Sequence, residues 1–262
     1  MKRNVLYLVH AELKLLAMNK DLPVILYNFE EINLDLNHND NYIIVTDFEF
    51  DNINLNVVRD SKCNVLLFSK MKSSVNLNVV INENANLKLD VISMNNETSD
   101  HYNFDLVGEY ATLDMNVLSL TKNAKKEFKY FVNHLAPETK SSVSNYGISF
   151  ENGINNFKVN GIIKPNMKNS DVRQLTKGLI LHPTGECLAE PILLIDYYDV
   201  KAYHGATIGK ISDDDLFYLM SRGLTKDEAF MLIINGILNP FVKDLNDEMI
   251  KEEVMGAYFA YF

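Results

Sequence analysis

Two short stretches of the chain, Ile53-Asn-Leu-Asn-Val57 and Val75-Asn-Leu-Asn-Val79, indicate its fold. In each of them apolar and polar residues alternate strictly, which is typical of a β-strand with one buried and one exposed face. The same alternation recurs at 32–36, 86–91 and 112–117. Asn, Asp and Ser fill the intervals between these stretches, as turns require. The chain therefore reads as strand after strand.

The spacing of the strands is as informative as their pattern. Leu34, Leu55 and Leu77 are 21 and 22 residues apart, Leu87 follows after 10 and Leu113 after another 26. This is a loose period of about 20–25 residues with a half-step near 10. No helical pattern of 10–15 residues separates the strands, which argues against a doubly wound α/β sheet. The pattern alone leaves a solenoid of stacked coils and a sandwich or barrel equally open.

Three zones of the sequence differ in residue pattern and charge. Residues 1–30 mix short apolar stretches with charged residues and predict no definite structure. Residues 31–211 form the predicted β core. Residues 212–262 predict a helical domain, which holds ten acidic and four basic residues of a chain whose net charge is −10.

The helical zone carries clear start and stop signals. Ser212-Asp-Asp-Asp215 and Thr225-Lys-Asp-Glu228 have the form of capping boxes at two helix starts. Gly223 stands where a left-handed cap should end the first helix, and Asn239-Pro240 is expected to end the second. A third helix is suggested by Leu245, Met249 and Val254. Two interpretations stay open: a helical cap that seals an open β end, or an acidic, apolar-faced docking site for a partner protein.

Composition narrows the classes of function. A net charge of −10 argues against a nucleic-acid or anionic-membrane partner. No run of 18 apolar residues and no signal-peptide pattern is present, so we expect a cytoplasmic location. Two cysteines exclude a disulfide framework and a four-cysteine metal site within one chain.

Few residues suggest chemistry by themselves. There is no phosphate-binding loop, so no ATP site is expected in this chain. Cys63 and Cys187 read as buried small apolar residues. Asp196 and Asp199 form a weak candidate pair for glycoside chemistry, since a spacing of three along a strand points them to opposite faces. His204 stands out, because it precedes a glycine at the boundary of the helical zone and neutral imidazole binds iron, zinc or copper well.

A family resemblance becomes visible around this histidine. The stretch from Asp199 to Leu224, with HGAT-x-G at 204–209, LFY at 216–218 and S-R-G-L at 221–224, resembles the C-terminal signature of the SufB/SufD family. Members of that family are scaffolds of the SUF iron–sulfur cluster assembly system. Further matches lie at 134–142, 157–161, Gln174, Pro191, Ala229 and Gly236.

The resemblance implies a fold and a set of partners. It favours a mainly β fold, a right-handed parallel β-helix followed by a C-terminal α-helical segment. It implies a non-catalytic scaffold whose helices bind SufC, an ABC-type ATPase, so that ATP hydrolysis belongs to the partner. The matching positions in the helical segment are Asp215, Leu216, Phe217, Tyr218, Arg222 and Gly223. It also implies pairing with a SufB-like scaffold, with His204 as a candidate ligand of a transient iron–sulfur cluster shared with that partner.

The details of the signature favour a SufD-like chain. SufB members typically carry HEAT where this chain has HGAT at 204–207, and their cluster-building cysteine falls at Thr176 of this chain. Two alternatives remain: a SufB-type homodimeric scaffold, which would need Cys63 or Cys187, and a carbohydrate-active β-solenoid.

Overall fold

The computed structural model describes residues 7–8, 24–27, 31–37, 41–46, 50–69, 74–94, 97–243 and 248–261. Most of the N-terminal zone at 1–30 and Leu245 of the predicted third helix lie outside these residues. Among the described residues, no helix has both the length and the apolar character needed to cross a lipid bilayer.

The described chain forms two parallel β-sheets that alternate along the sequence, followed by helices. One sheet has nine strands in the order β1-β2-β4-β6-β8-β10-β12-β14-β16, and the other has seven in the order β15-β13-β11-β9-β7-β5-β3. The strands of the larger sheet are β1 (Tyr7–Leu8), β2 (Val24–Tyr27), β4 (Asn41–Thr46), β6 (Lys62–Ser69), β8 (Asn86–Ser93), β10 (Thr112–Thr121), β12 (Lys140–Ser149), β14 (Asp171–Ile180) and β16 (Lys201–Lys210). Those of the smaller sheet are β3 (Glu31–Leu36), β5 (Phe50–Val57), β7 (Ser74–Ile81), β9 (Thr98–Leu106), β11 (Lys125–His134), β13 (Ile154–Ile163) and β15 (Glu186–Ile195).

This topology is a parallel β-solenoid, because from β2 onward each strand pairs with the strand two places away in sequence, so that each coil adds one strand to each sheet. The solenoid prediction is confirmed, and the sandwich and barrel alternatives are wrong. The half-step of 10 residues between Leu77 and Leu87 is the passage from the smaller sheet to the larger one. The 26-residue step from Leu87 to Leu113 is a true register pair. By contrast, Leu55 pairs with Val79 and not with Leu77.

The turns between successive strands, the corners of the coils, repeat as regularly as the strands. A residue with positive φ stands two positions before seven of the strands, and these residues are Asp60, Asn84, Tyr110, Asn123, Glu138, Asn152 and Asn169. Asn and Asp tolerate this left-handed conformation best, which explains the polar intervals in the sequence. The side chains also connect successive coils: the Asn84 amide donates to Asp60 at 2.8 Å and the Asn152 amide to Asn123 at 3.1 Å.

The interior of the solenoid is filled by the inward row of each strand. Flat rings stack from coil to coil, with centroid separations of 5.1 Å for Tyr102 and Tyr130 and 5.0 Å for Phe128 and Phe157. On the outside, asparagines form ladders: Asn54 donates to Asn33 at 2.9 Å and Asn78 to Asn54 at 3.0 Å. Rows of like residues therefore stabilise both faces of the sheets.

In the described residues, three helices follow the last strand. They are α1 (Asp213–Ser221), α2 (Lys226–Val242) and α3 (Glu248–Phe259). The predicted starts are confirmed: Ser212 accepts from the backbone N–H of Asp215, and Thr225 and Glu228 form a complete capping box. Gly223 has φ of +97°, as its predicted capping position requires.

The predicted end of the second helix at Asn239-Pro240 is wrong. Pro240 lies inside α2, which continues to Val242. Proline removes one backbone donor, but the following Phe241 and Val242 are buried against the larger sheet, where the Phe241 ring meets Tyr146 edge-on at 6.1 Å. Burial of these two side chains offsets the lost hydrogen bond.

Helices α2 and α3 cover the flank of the solenoid. Ile234, Leu238, Ile250 and Val254 share one apolar cluster with a stripe that runs across the larger sheet, through Val45, Phe68, Ile92 and Leu118. The Tyr261 hydroxyl donates to the carbonyl of Leu120 at 2.8 Å. These two helices therefore do not seal the end of the solenoid at β15 and β16, as the cap interpretation required.

The stacked interior gives a direct stability prediction. Phe157 is fully buried and stacks on Phe128, so Phe157→Ala should lower the free energy of unfolding by about 3–5 kcal/mol. Urea denaturation followed by circular dichroism measures the change. Phe217→Ala is the matched control, because Phe217 is 74% exposed, and it should change stability little. Equal effects of the two substitutions would contradict the packing described here.

Candidate functional site

The last coil is the most distinctive surface of the molecule. β16 pairs with β14 on one side, and no strand of the described residues pairs with its other side. β15 is likewise the final strand of the smaller sheet. Unpaired N–H and C=O groups along such an edge are a template for pairing with another chain.

The last coil also exposes large apolar side chains. They are Leu188, Leu194, Tyr198, Tyr203 and Ile208. Leu188, Leu194 and Tyr203 stand in the outward rows of their strands. Ile208 stands in the inward row, where in earlier coils the next coil covers the side chain, and it is 40% exposed here. An exposed apolar group of this kind beside a free strand edge marks an interaction surface.

His204 lies in the middle of β16, within this surface. Its Cα partner on β14 is Gln174, which is buried and belongs to the inward row. His204 therefore occupies the inward row of the last coil, where it is exposed because the solenoid ends there. Its imidazole makes no hydrogen bond or ion pair with any residue that the structure describes, so both ring nitrogens are accessible to a ligand.

Two more polar side chains continue the inward row behind His204. Thr176, the position that aligns with the SufB cysteine in the resemblance, pairs with Ala206 and accepts a hydrogen bond from the Asn145 amide at 3.1 Å. Gln174 donates through Nε2 to the Ile192 carbonyl at 3.3 Å. In the sequence these positions stand out only as family matches, because their neighbours become apparent only once the register is known.

Both cysteines are buried, as predicted. Cys63 is fully inaccessible in β6. Cys187 lies in β15 where Gly147 and Gly178 leave room for its sulfur: a Cβ on Gly178 would come within 2.6 Å of Sγ. Burial raises the pKa of the Cys187 thiol to about 11, so it is protonated at neutral pH. Neither residue offers a ready thiolate.

Asp196 and Asp199 are both exposed on the corner between β15 and β16. Asp199 borders an open groove of about 790 Å³, together with Lys140, Asp171 and Arg173. Arg173 is bound by both oxygens of Asp171, at 3.1 and 2.9 Å. The groove is thus lined by charges of both signs, with Tyr198 beside Asp199, and Asp196 does not line it, so the proposed pair of Asp196 and Asp199 does not share this groove.

The predicted docking residues lie on α1 and the turn after it. Of these, Asp215, Phe217, Tyr218, Arg222 and Gly223 are exposed and Leu216 is partly buried. The Arg222 guanidinium lies over the Tyr218 ring, 5.2 Å from its centroid, and donates to the Tyr218 hydroxyl at 3.3 Å. α1 buries none of its residues, so its aromatic side chains have no role in the core of this chain.

No group of three or more His, Cys, Asp or Glu side chains that could hold a metal ion occurs in the part of the chain that the structure describes.

Comparisons with known proteins agree with these features. A family model described as the SufBD core domain of SUF system FeS cluster assembly matches residues 24–237. The iron-sulfur cluster assembly protein SufD of Bacillus subtilis is 31% identical over 168 residues, which cover 64% of this chain and 37% of that protein. SufD of Escherichia coli is 31% identical over 157 residues, covering 57% and 36%. SufB of Bacillus subtilis is 32% identical over 135 residues, covering 47% and 28%. The matched segments thus span about a third of these relatives.

The buried His134 on β11 allows a prediction of how the free energy of unfolding depends on pH. The His134 ring is inaccessible and lies between the Thr139 and Ser141 hydroxyls, at 2.7 and 2.8 Å. Burial lowers the pKa of His134 from 6.5 to about 4. The unfolded state therefore binds more protons between these values, and the free energy of unfolding should fall by about 3 kcal/mol as pH drops from 7 to 4.

Urea titrations at several pH values measure this dependence of the free energy of unfolding on pH. His134→Gln removes the titrating group and should flatten the dependence between pH 6.5 and 4, whatever its effect at pH 7. An equal pH dependence of the free energy of unfolding in the wild type and in His134→Gln would contradict a buried neutral His134.

Proposed function

Because the chain belongs to the SufBD core domain family of the SUF iron–sulfur cluster assembly system, we propose that it is a SufD-like scaffold subunit of a SUF complex. In this proposal its last coil pairs with a SufB-like chain, and α1 binds a SufC-like ABC ATPase. The single observation that carries the proposal is the position of His204: exposed, in the inward row of the edge strand β16.

Pairing through β16 follows from its free edge. A second parallel solenoid that added a strand there would satisfy the outward backbone groups of β16 and cover apolar side chains such as Tyr203 and Ile208. His204 would then lie in the seam between the two chains. The side chain would be covered on pairing, as the inward residues of every earlier coil are.

The proposed role of His204 is to supply one ligand to a cluster that the complex assembles and passes on. Neutral imidazole binds iron, and a mixed set of His and Cys ligands is known in protein iron–sulfur sites. The described residues of this chain form no group of three or more His, Cys, Asp or Glu side chains that could hold a metal ion around His204. The remaining ligands, thiolates above all, would come from the partner.

The lack of an accessible thiol in this chain favours a SufD-like subunit over a SufB-type homodimer. Thr176 stands where the SufB cysteine is expected, and Cys187 is buried with a pKa raised to about 11. Cys63 is fully buried in the first half of the solenoid. A homodimer would have to build a cluster without an accessible thiolate. If the Cys63→Ser/Cys187→Ser double variant lost cluster loading, the homodimer would be favoured instead.

The proposed ATPase contact rests on α1. Phe217 and Tyr218 are 74% and 56% exposed, and the helix buries no residue of its own. Two aromatic rings held on a capped helix suit an apolar pocket on a partner. ATP hydrolysis would belong to that partner, and this chain would act as a non-catalytic scaffold that transmits its movement.

Replacement of His204 tests the ligand role. His204→Ala should strongly reduce iron and sulfide bound by the purified complex after reconstitution, because one ligand is lost while the strand edge is kept. Iron and acid-labile sulfide analysis with visible absorption measures the loading. His101→Ala is the matched control, since His101 is an exposed histidine on β9. Unchanged loading in His204→Ala would remove this residue from the site.

The docking role of α1 is tested by co-purification. Phe217→Ala/Tyr218→Ala should lower recovery of the SufC-like ATPase with this chain by tenfold or more, since both rings are removed from the contact. Phe259→Ala removes a similarly exposed ring from α3 and should leave recovery intact. Full recovery with the double variant would contradict docking through α1.

A further inference from the structure

Gln174, the register partner of His204 on β14, makes a hydrogen bond through the nitrogen of its side-chain amide but not through the oxygen. It lies in the inward row of β14 and is 2% exposed. Its amide nitrogen donates across the interior to the Ile192 carbonyl on β15, at 3.3 Å. Gly161 makes room for it, because a Cβ there would lie 2.7 Å from Nε2. The amide is therefore fixed in place by its nitrogen.

The amide oxygen of Gln174 has no hydrogen-bond partner among the described residues. A buried acceptor left unpaired is costly, so a donor is expected within reach. The two ladder neighbours of Gln174 are Val143 on β12 and His204 on β16. Val143 has no polar group in its side chain, so of these two only the His204 imidazole can donate.

Neighbouring strands are about 5 Å apart, and residues paired across them on one face bring their side chains into contact. The exposed imidazole is free to turn toward this oxygen, since nothing described holds it elsewhere. A neutral imidazole has one N–H donor and one nitrogen lone pair. A hydrogen bond to one nitrogen fixes the tautomer and leaves the other for a metal.

We infer that Gln174 is a positioning residue for His204: its amide oxygen accepts a hydrogen bond from one ring N–H and turns the other ring nitrogen toward the open end of the solenoid. This inference rests on the proposed function, in which His204 is a ligand. It assigns a role to an otherwise unsatisfied buried amide. Gln174 does not itself touch the cluster.

The direct test is the tautomeric state of His204, measured by ¹⁵N-resolved NMR on the full chain at a pH where imidazole is neutral. One tautomer should dominate at His204, while His101, an exposed histidine on β9, shows the mixture of a free imidazole. Gln174→Met should shift His204 to that mixture and leave His101 unchanged. Gln174→Glu keeps an acceptor and should preserve the single tautomer.

A His204 spectrum like that of His101 in the wild-type chain, or one that Gln174→Met does not change, would overturn the inference. Unfolding of Gln174→Met would also give a mixture at His204, so the comparison requires that the signals of the buried His134, which is held by Thr139 and Ser141, stay unchanged in the variant.

Cluster loading separates this inference from the proposed function. Gln174→Met should weaken metal retention by the complex by about tenfold, the usual cost of removing such a support, and Gln174→Glu should restore it. If His204→Ala leaves loading unchanged, the proposed function fails while the tautomer result can still stand. If His204→Ala abolishes loading but the tautomer is mixed, only the role of Gln174 fails.

Discussion

In-register parallel pairing of each coil with the next is the constraint on which the structure depends. It aligns chemically similar residues in rows, apolar inside, and amide-rich or apolar on the outer faces, so that each row stabilises itself from coil to coil. Ladders such as Val45, Phe68, Ile92 and Leu118 create the flat stripe on which α2 and α3 pack. The same pairing must stop somewhere, and in the described chain it stops at β16 with a free edge.

The end of the repeat explains why one inward position becomes a site. Gln174 and His204 occupy the same row, yet the first is buried and the second exposed, because no further coil covers β16. A side chain placed there combines the rigidity of a strand with access from outside. In earlier coils that combination does not arise, since each inward row is closed by the next coil. The geometry of the proposed site is thus a consequence of the fold.

Much of the fold could be predicted from local sequence because alternation and turn residues are local signals. The alternation at 53–57 and 75–79 and the capping box at Thr225 were sufficient to predict strands and a helix start. The choice of a solenoid over a sandwich or barrel needed the family resemblance. The 21-residue step from Leu34 to Leu55 is a true register pair, whereas the 22-residue step from Leu55 to Leu77 misses the true partner Val79, because the coil length drifts as corners lengthen. The sequence misplaced the end of α2 at Pro240, because burial of Phe241 depends on a sheet distant in sequence. His204 was found through its motif, whereas its relation to Gln174 required the 30-residue register, which the apparent period did not contain.

Hydrogen exchange of the β16 backbone amides, with and without a SufB-like partner, shows whether the free edge of β16 is the seam between two solenoids. In the free chain, the amides of 201–210 that face away from β14 should exchange quickly. On complex formation the exchange rate of those same backbone amides should fall by at least tenfold, while the exchange rates of the backbone amides of β5 and β7 stay unchanged. Protection elsewhere on the chain with unchanged exchange along β16 would contradict the assignment of the strand edge as the seam between two solenoids.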